Sequence, residues 1–65
     1  MARTMAATLK RLRGRRGLTQ QALAVRAGVS LGYVSRLEIG RHDPKLSTLR
    51  KLARALGVPA AELLG

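Results

Sequence analysis

The stretch from Leu18 to Gly40, LTQQALAVRAGVSLGYVSRLEIG, constrains this fold most, because its turn residues fall where short helices must start and stop. Thr19 offers a side-chain oxygen to cap a helix carrying Leu23, Ala24 and Ala27 on one face, and Gly28 supplies the left-handed residue that ends it. After a tight turn, Ser30 caps the next helix, with Val34 and Leu37 inward, and Gly40 closes it before a polar loop, Arg41-His42-Asp43-Pro44. Each fixed position has a steric reason. Ala24 is small where the second of these helices crosses the first, Gly28 permits positive φ, and Val34 and Leu37 close the angle from below.

The flanks read as helices too. Met5, Leu9 and Leu12 recur at spacings of four and three, an amphipathic stripe that Gly14 weakens and Gly17 stops. Ser47 is placed to cap a fourth helix whose Leu49, Leu52, Ala53 and Leu56 form one apolar face, with Gly57 as its stop. Pro59 pre-sets the first turn of a short fifth helix, Ala60 to Leu64. No alternating strand pattern, repeat or linker interrupts the series. The expected architecture is therefore all-α, with residues 1–65 forming one domain.

Composition narrows what such a domain can do. The 65 residues include no Cys and a single His, so disulfides and thiolate metal sites are excluded, and three scattered carboxylates build no metal centre around His42. No cofactor is expected. Thirteen Lys and Arg against three acids give a net charge of +10, and every acid lies at or beyond Glu38. An excess so one-sided points to a polyanion, either nucleic acid or an anionic membrane surface. No segment approaches the ~20 apolar residues of a membrane span, and the first eight residues lack the apolar core of a secretory signal, so a cytoplasmic location is expected.

Leu18–Gly40 has helix-turn-helix spacing, and with its flanks the chain resembles the Cro/repressor-type (XRE-like) helix-turn-helix family. The likeness runs from about Leu9 to Leu64. Besides the central motif it rests on Leu9-x-x-Leu12-Arg13, the Arg-Gly-Leu-Thr-Gln run, Ser35-Arg36-Leu37-Glu38-x-Gly40, and Leu49-x-x-Leu52-Ala53-x-x-Leu56-Gly57-Val58 followed by Leu63-Leu64. The resemblance implies a compact five-helix, lambda-repressor-like DNA-binding domain whose third helix enters the major groove. It also implies an ion pair between Arg13 and Glu38, tying the first helix to the end of the third, and a backbone contact from Gln20.

Helical geometry indicates what the third helix can offer DNA. At 100° per residue Gly32, Ser35 and Arg36 share a face opposite Val34 and Leu37, with Leu31 flanking it at the amino-terminal end. Arg36 suits bidentate contact with guanine O6 and N7, Leu31 suits a thymine methyl, and Gly32 leaves room for close backbone approach. Helix starts and flanking loops attract phosphate, which nominates Gln20, Ser30, Arg41 and Ser47, with Tyr33 dividing between core packing and a phosphate contact. Ile39 stands where the family often has a polar or basic residue, and no DNA contact is assigned to it. Arg15, Arg16, Arg50, Lys51 and Arg54 are expected to be solvated charges adding long-range attraction.

The expected function is a sequence-specific transcriptional regulator, not an enzyme. It would bind double-stranded DNA as a homodimer at pseudo-palindromic half-sites, with Val58, Leu63 and Leu64 as the residues spare for a dimer surface. Two alternatives stay open: an antitoxin or restriction-modification controller with a protein partner, and a sequence-indifferent nucleic-acid binder, for which charge alone would suffice.

Overall fold

The computed structural model describes residues 2–64, with side chains from Met5 onward, so the expected domain limits Met1 and Gly65 lie outside the described residues. Five helices follow in order: α1 (Ala2–Arg15), α2 (Gln20–Ala27), α3 (Leu31–Glu38), α4 (Leu46–Leu56) and α5 (Ala61–Leu64). No strand occurs among the described residues. The apolar stripes read from the sequence converge on one core, in which Leu9, Leu23, Val34, Leu37 and Leu52 are fully buried. There α2 packs between α3 and α4, while α1 packs against α3 and α5. Because these helices are too short to be stable alone, the shared core holds them, not their propensities.

Helix ends are fixed by local chemistry. The Thr19 hydroxyl accepts from the Ala22 N–H at 3.0 Å, and the Ser30 hydroxyl from the Tyr33 N–H at 3.1 Å. Gly28 has φ 71°, and here the Gly28 N–H donates to the Val25 carbonyl and the Val29 N–H to the Ala24 carbonyl. That pair of bonds satisfies the carbonyls a helix end leaves open. The same pair closes α4 around Gly57.

α1 runs through Gly14 to Arg15 and the chain turns at Gly17, φ 66°, where the sequence places its stop. Three expectations need correction. α4 begins at Leu46 with Lys45 as its cap residue, so Ser47 lies exposed inside the first turn and caps nothing. Starting there adds a bond from the Leu49 N–H to the Lys45 carbonyl at 2.8 Å, which outweighs the preference of serine for a cap. α5 begins at Ala61, not Ala60. Leu63 is 1% exposed and belongs to the core, so it is not spare for a dimer surface, whereas Leu64 stays 56% exposed.

Candidate nucleic-acid interface

The outer face of α3 is built by what its inner face buries. Val34 and Leu37 are sealed in the core, and rotation by 100° per residue turns Gly32 and Arg36 outward, with Ser35 half-buried between the faces. Leu31, the first helical residue, is 46% exposed although large and apolar. Ala24 is buried in the core on α2, the helix that packs against α3. Tyr33 is half-buried, packed against the core, and its ring meets that of His42 edge-on at 5.0 Å between centroids. With Ser30, Lys45 and Thr48 these rings line a shallow cleft between the starts of α3 and α4.

An ion pair anchors the far end of α3. Arg13 Nε and Nη2 donate to Glu38 Oε2 and Oε1 at 2.6 and 3.0 Å, and Arg13 Nη1 donates to the Leu18 carbonyl at 2.8 Å. The two side chains are 17% and 2% exposed. Burial is the strongest single influence on the Glu38 carboxyl and pushes it up. The hydrogen bonds from Arg13 and Gln20, with the charges of Arg13 and Lys10, together outweigh burial and hold the carboxyl below its ordinary range. The Arg13 guanidinium is raised in turn, chiefly by its hydrogen bond to Glu38.

The structure brings Gln20 into this group, which its sequence did not reveal. Gln20 Nε2 donates to Glu38 Oε1 at 3.0 Å, so the first residue of α2 is tied to the last of α3. The available signal was indirect: a buried pair joining Arg13 to Glu38 brings that carboxylate beside Leu18, two residues before Gln20. Arg16 is also more than a solvated charge, since its Nη2 donates to the Gly57 carbonyl at 3.2 Å. Arg15, Arg41, Arg50, Lys51 and Arg54 are exposed, as is Ile39. Among the described residues no three His, Cys, Asp or Glu side chains form a metal-binding group, and no helix is long and apolar enough to cross a membrane.

Five helices, with α2 and α3 set across a glycine turn and an outer face of α3 that exposes Gly32 and Arg36, define a helix-turn-helix domain. The chain belongs to that family: the helix-turn-helix domain model matches residues 4–64. Within it, the chain is of the XRE/Cro type, the class of DNA-binding transcriptional regulators. It is 44% identical over 64 residues to an uncharacterized HTH-type transcriptional regulator of Sinorhizobium fredii, covering 98% of this chain and 83% of that one. It is 39% identical over 62 residues to the immunity repressor protein of Bacillus phage phi105, covering 95% of this chain but only 43% of the phage protein. Among solved structures, the restriction-modification controller protein C.AhdI from Aeromonas hydrophila superposes with a TM-score of 0.93 at 34% identity, covering 95% and 94% of the two chains.

Proposed function

We propose that this protein is a sequence-specific repressor or autoregulator that binds a pseudo-palindromic operator as a homodimer, laying one α3 per protomer in successive major grooves. The observation that carries this reading is the outer face of α3, where Arg36, Gly32 and Leu31 are exposed on a helix fixed at both ends, by the Ser30 cap and the Arg13–Glu38 pair. Charge alone would serve an indifferent binder and would need no such rigid face. In this reading Arg36, Leu31, Gly32 and Ser35 meet base edges, and Ser30, Arg41, Ser47, Tyr33 and Gln20 meet phosphates. Gln20 keeps a second amide hydrogen for an anion while the first is held by Glu38. The protein acts without catalysis, in the cytoplasm at the nucleoid, and residues 1–65 work as one domain.

Selection of bound duplexes from a random pool, followed by anisotropy titrations, tests it. The wild type should recover a symmetric consensus. Arg36→Ala should lose about 1–3 kcal/mol on that site and relax one base position per half-site, while barely changing affinity for scrambled DNA. Equal weakening on both duplexes would exclude Arg36 as a base reader.

A second reading, the restriction-modification controller, is favoured by the match to C.AhdI along nearly the full length of both chains. It requires the recovered operator to lie upstream of nuclease or methyltransferase genes, and a site elsewhere excludes it.

A further inference from the structure

Where α2 and α4 pack together, their carboxy-terminal halves form a cleft lined by Val25, Arg26 and Gly28 on one side and by Lys51, Arg54 and Ala55 on the other. Lys51, Arg54 and Ala55 share one face of α4, since residues three and four apart are neighbours on a helix. Three cations line the cleft and no acid does. Among the described residues none of the three makes a hydrogen bond or ion pair: Glu38 is engaged by Arg13 and Gln20, while Asp43 and Glu62 line other clefts.

Helix ends account for only part of this charge. Arg26 and Arg54 stand in the last turns of α2 and α4, where the negative end of each helix dipole favours a cation. Lys51, a turn earlier, has no such reason, and neither has Val25. The Val25 side chain is 69% exposed, the most of any large apolar residue described, and a β-branched residue there gives up helix propensity with no packing in return. An apolar side chain among unpaired cations complements an acidic segment that carries an aliphatic residue. A phosphodiester backbone would engage the cations and leave Val25 and Ala55 facing water. The cleft also lies away from the residues assigned to DNA: Arg26 is about 9 Å along α2 from Gln20, and Arg54 stands at the end of α4 opposite Ser47.

We propose that the cleft between α2 and α4 is a docking site for an acidic polypeptide segment of a partner protein. Carboxylates of that segment pair with Arg26, Lys51 and Arg54, and an aliphatic side chain lies on Val25 and Ala55. The site is separate from operator binding and does not depend on it.

A fluorescein-labelled peptide with one leucine between runs of glutamate tests the inference, titrated by anisotropy at physiological salt, with amide shifts of isotope-labelled protein locating the site. The shifts should fall on residues 25–28 and 51–55, whereas a scrambled duplex should shift α3 and its flanking loops. Arg54→Glu should weaken the peptide about tenfold, and Arg50→Glu, an equal change of net charge on the same helix outside the cleft, about twofold at most. Serine in place of the peptide's leucine should cost wild type severalfold in affinity and leave Val25→Ser unchanged. Each variant is first checked for an unchanged thermal melt, and Lys51→Glu, a turn from the helix end, replaces Arg54→Glu if that variant melts early. Equal weakening by Arg50→Glu and Arg54→Glu, or a serine peptide that binds wild type as well, reduces the cleft to a share of the general field and overturns the inference. It is also overturned if the duplex shifts the cleft, which is then DNA surface, or if inorganic phosphate shifts it as strongly as the peptide does. Each of these outcomes leaves the regulator standing.

Discussion

Glu38 receives three donated hydrogen bonds, two from Arg13 and one from Gln20, with a side chain 2% exposed. Removing one partner from a buried pair leaves the other charge unsolvated, which is why single substitutions here should cost more than the pair contributes. Arg13→Met and Glu38→Gln should each destabilise, and the double variant should fall short of the sum by about 1–3 kcal/mol, as read from denaturant unfolding in a double-mutant cycle. Zero coupling would remove the pair from the account. The sign with pH follows from the lowered carboxyl. Its stabilisation is fully present above the ordinary glutamate value, about 4.3, and is lost as pH falls through the lower folded value. The melting temperature of wild type should therefore fall toward that of Glu38→Gln below about pH 4. The Arg13–Glu38 contact was legible in the sequence through the family likeness and the scarcity of acids. The Gln20 bond was not, because it depends on how the first turn of α2 meets the last turn of α3 in space.

At the scale of elements, the turn residues carried nearly all the information the fold needed. Gly28 is the case to test, because nothing lies within 4 Å of a Cβ built on it, so a substitution there meets strain and no clash. Gly28→Val should destabilise by more than about 1 kcal/mol in thermal unfolding, and Gly28→Asn by less, since asparagine tolerates the left-handed region. Equal losses would show that crowding, not backbone conformation, decides that position. The start of α4 was the least legible boundary. Ser47 has the right chemistry for a cap, but the helix begins where the chain leaves Pro44, with Lys45 as a cap residue that makes no side-chain hydrogen bond. Lys45→Ser should supply the missing acceptor and remove a cation from a positive helix end, raising stability by about 1 kcal/mol. An unchanged melting temperature would mean that water already satisfies those amides at no cost.

For the whole molecule, the balance of charge fixes how the domain meets DNA at a distance, while the core fixes how little of that charge is specific. Of the thirteen cations, Arg13 is held by Glu38, and Arg16 spends one donor on the Gly57 carbonyl. The general attraction was legible from composition. Which arginines were already engaged was not, because Arg16 and Gly57 are far apart in sequence and meet only when folding brings the turn after α1 to the end of α4. The same folding places Leu63 in the core and leaves Leu64 outside, which a list of apolar residues near the carboxy terminus does not distinguish. Salt dependence separates the remaining cations. Each neutralised phosphate contributes about 0.9 to the slope of log affinity against log salt, since binding releases a condensed counterion. Arg41, exposed in the loop after α3, should act through phosphate. Arg41→Ala should weaken selected and scrambled duplexes alike and lower the slope by about one per protomer. Arg54, exposed on the last turn of α4, should act only through the long-range field, so Arg54→Ala should leave the slope nearly unchanged. Anisotropy of wild type and both variants across a salt series on both duplexes gives the slopes to compare. If Arg54→Ala lowers the slope as much as Arg41→Ala does, the DNA contacts extend to the end of α4, and the binding surface is wider than α3 and its flanking loops.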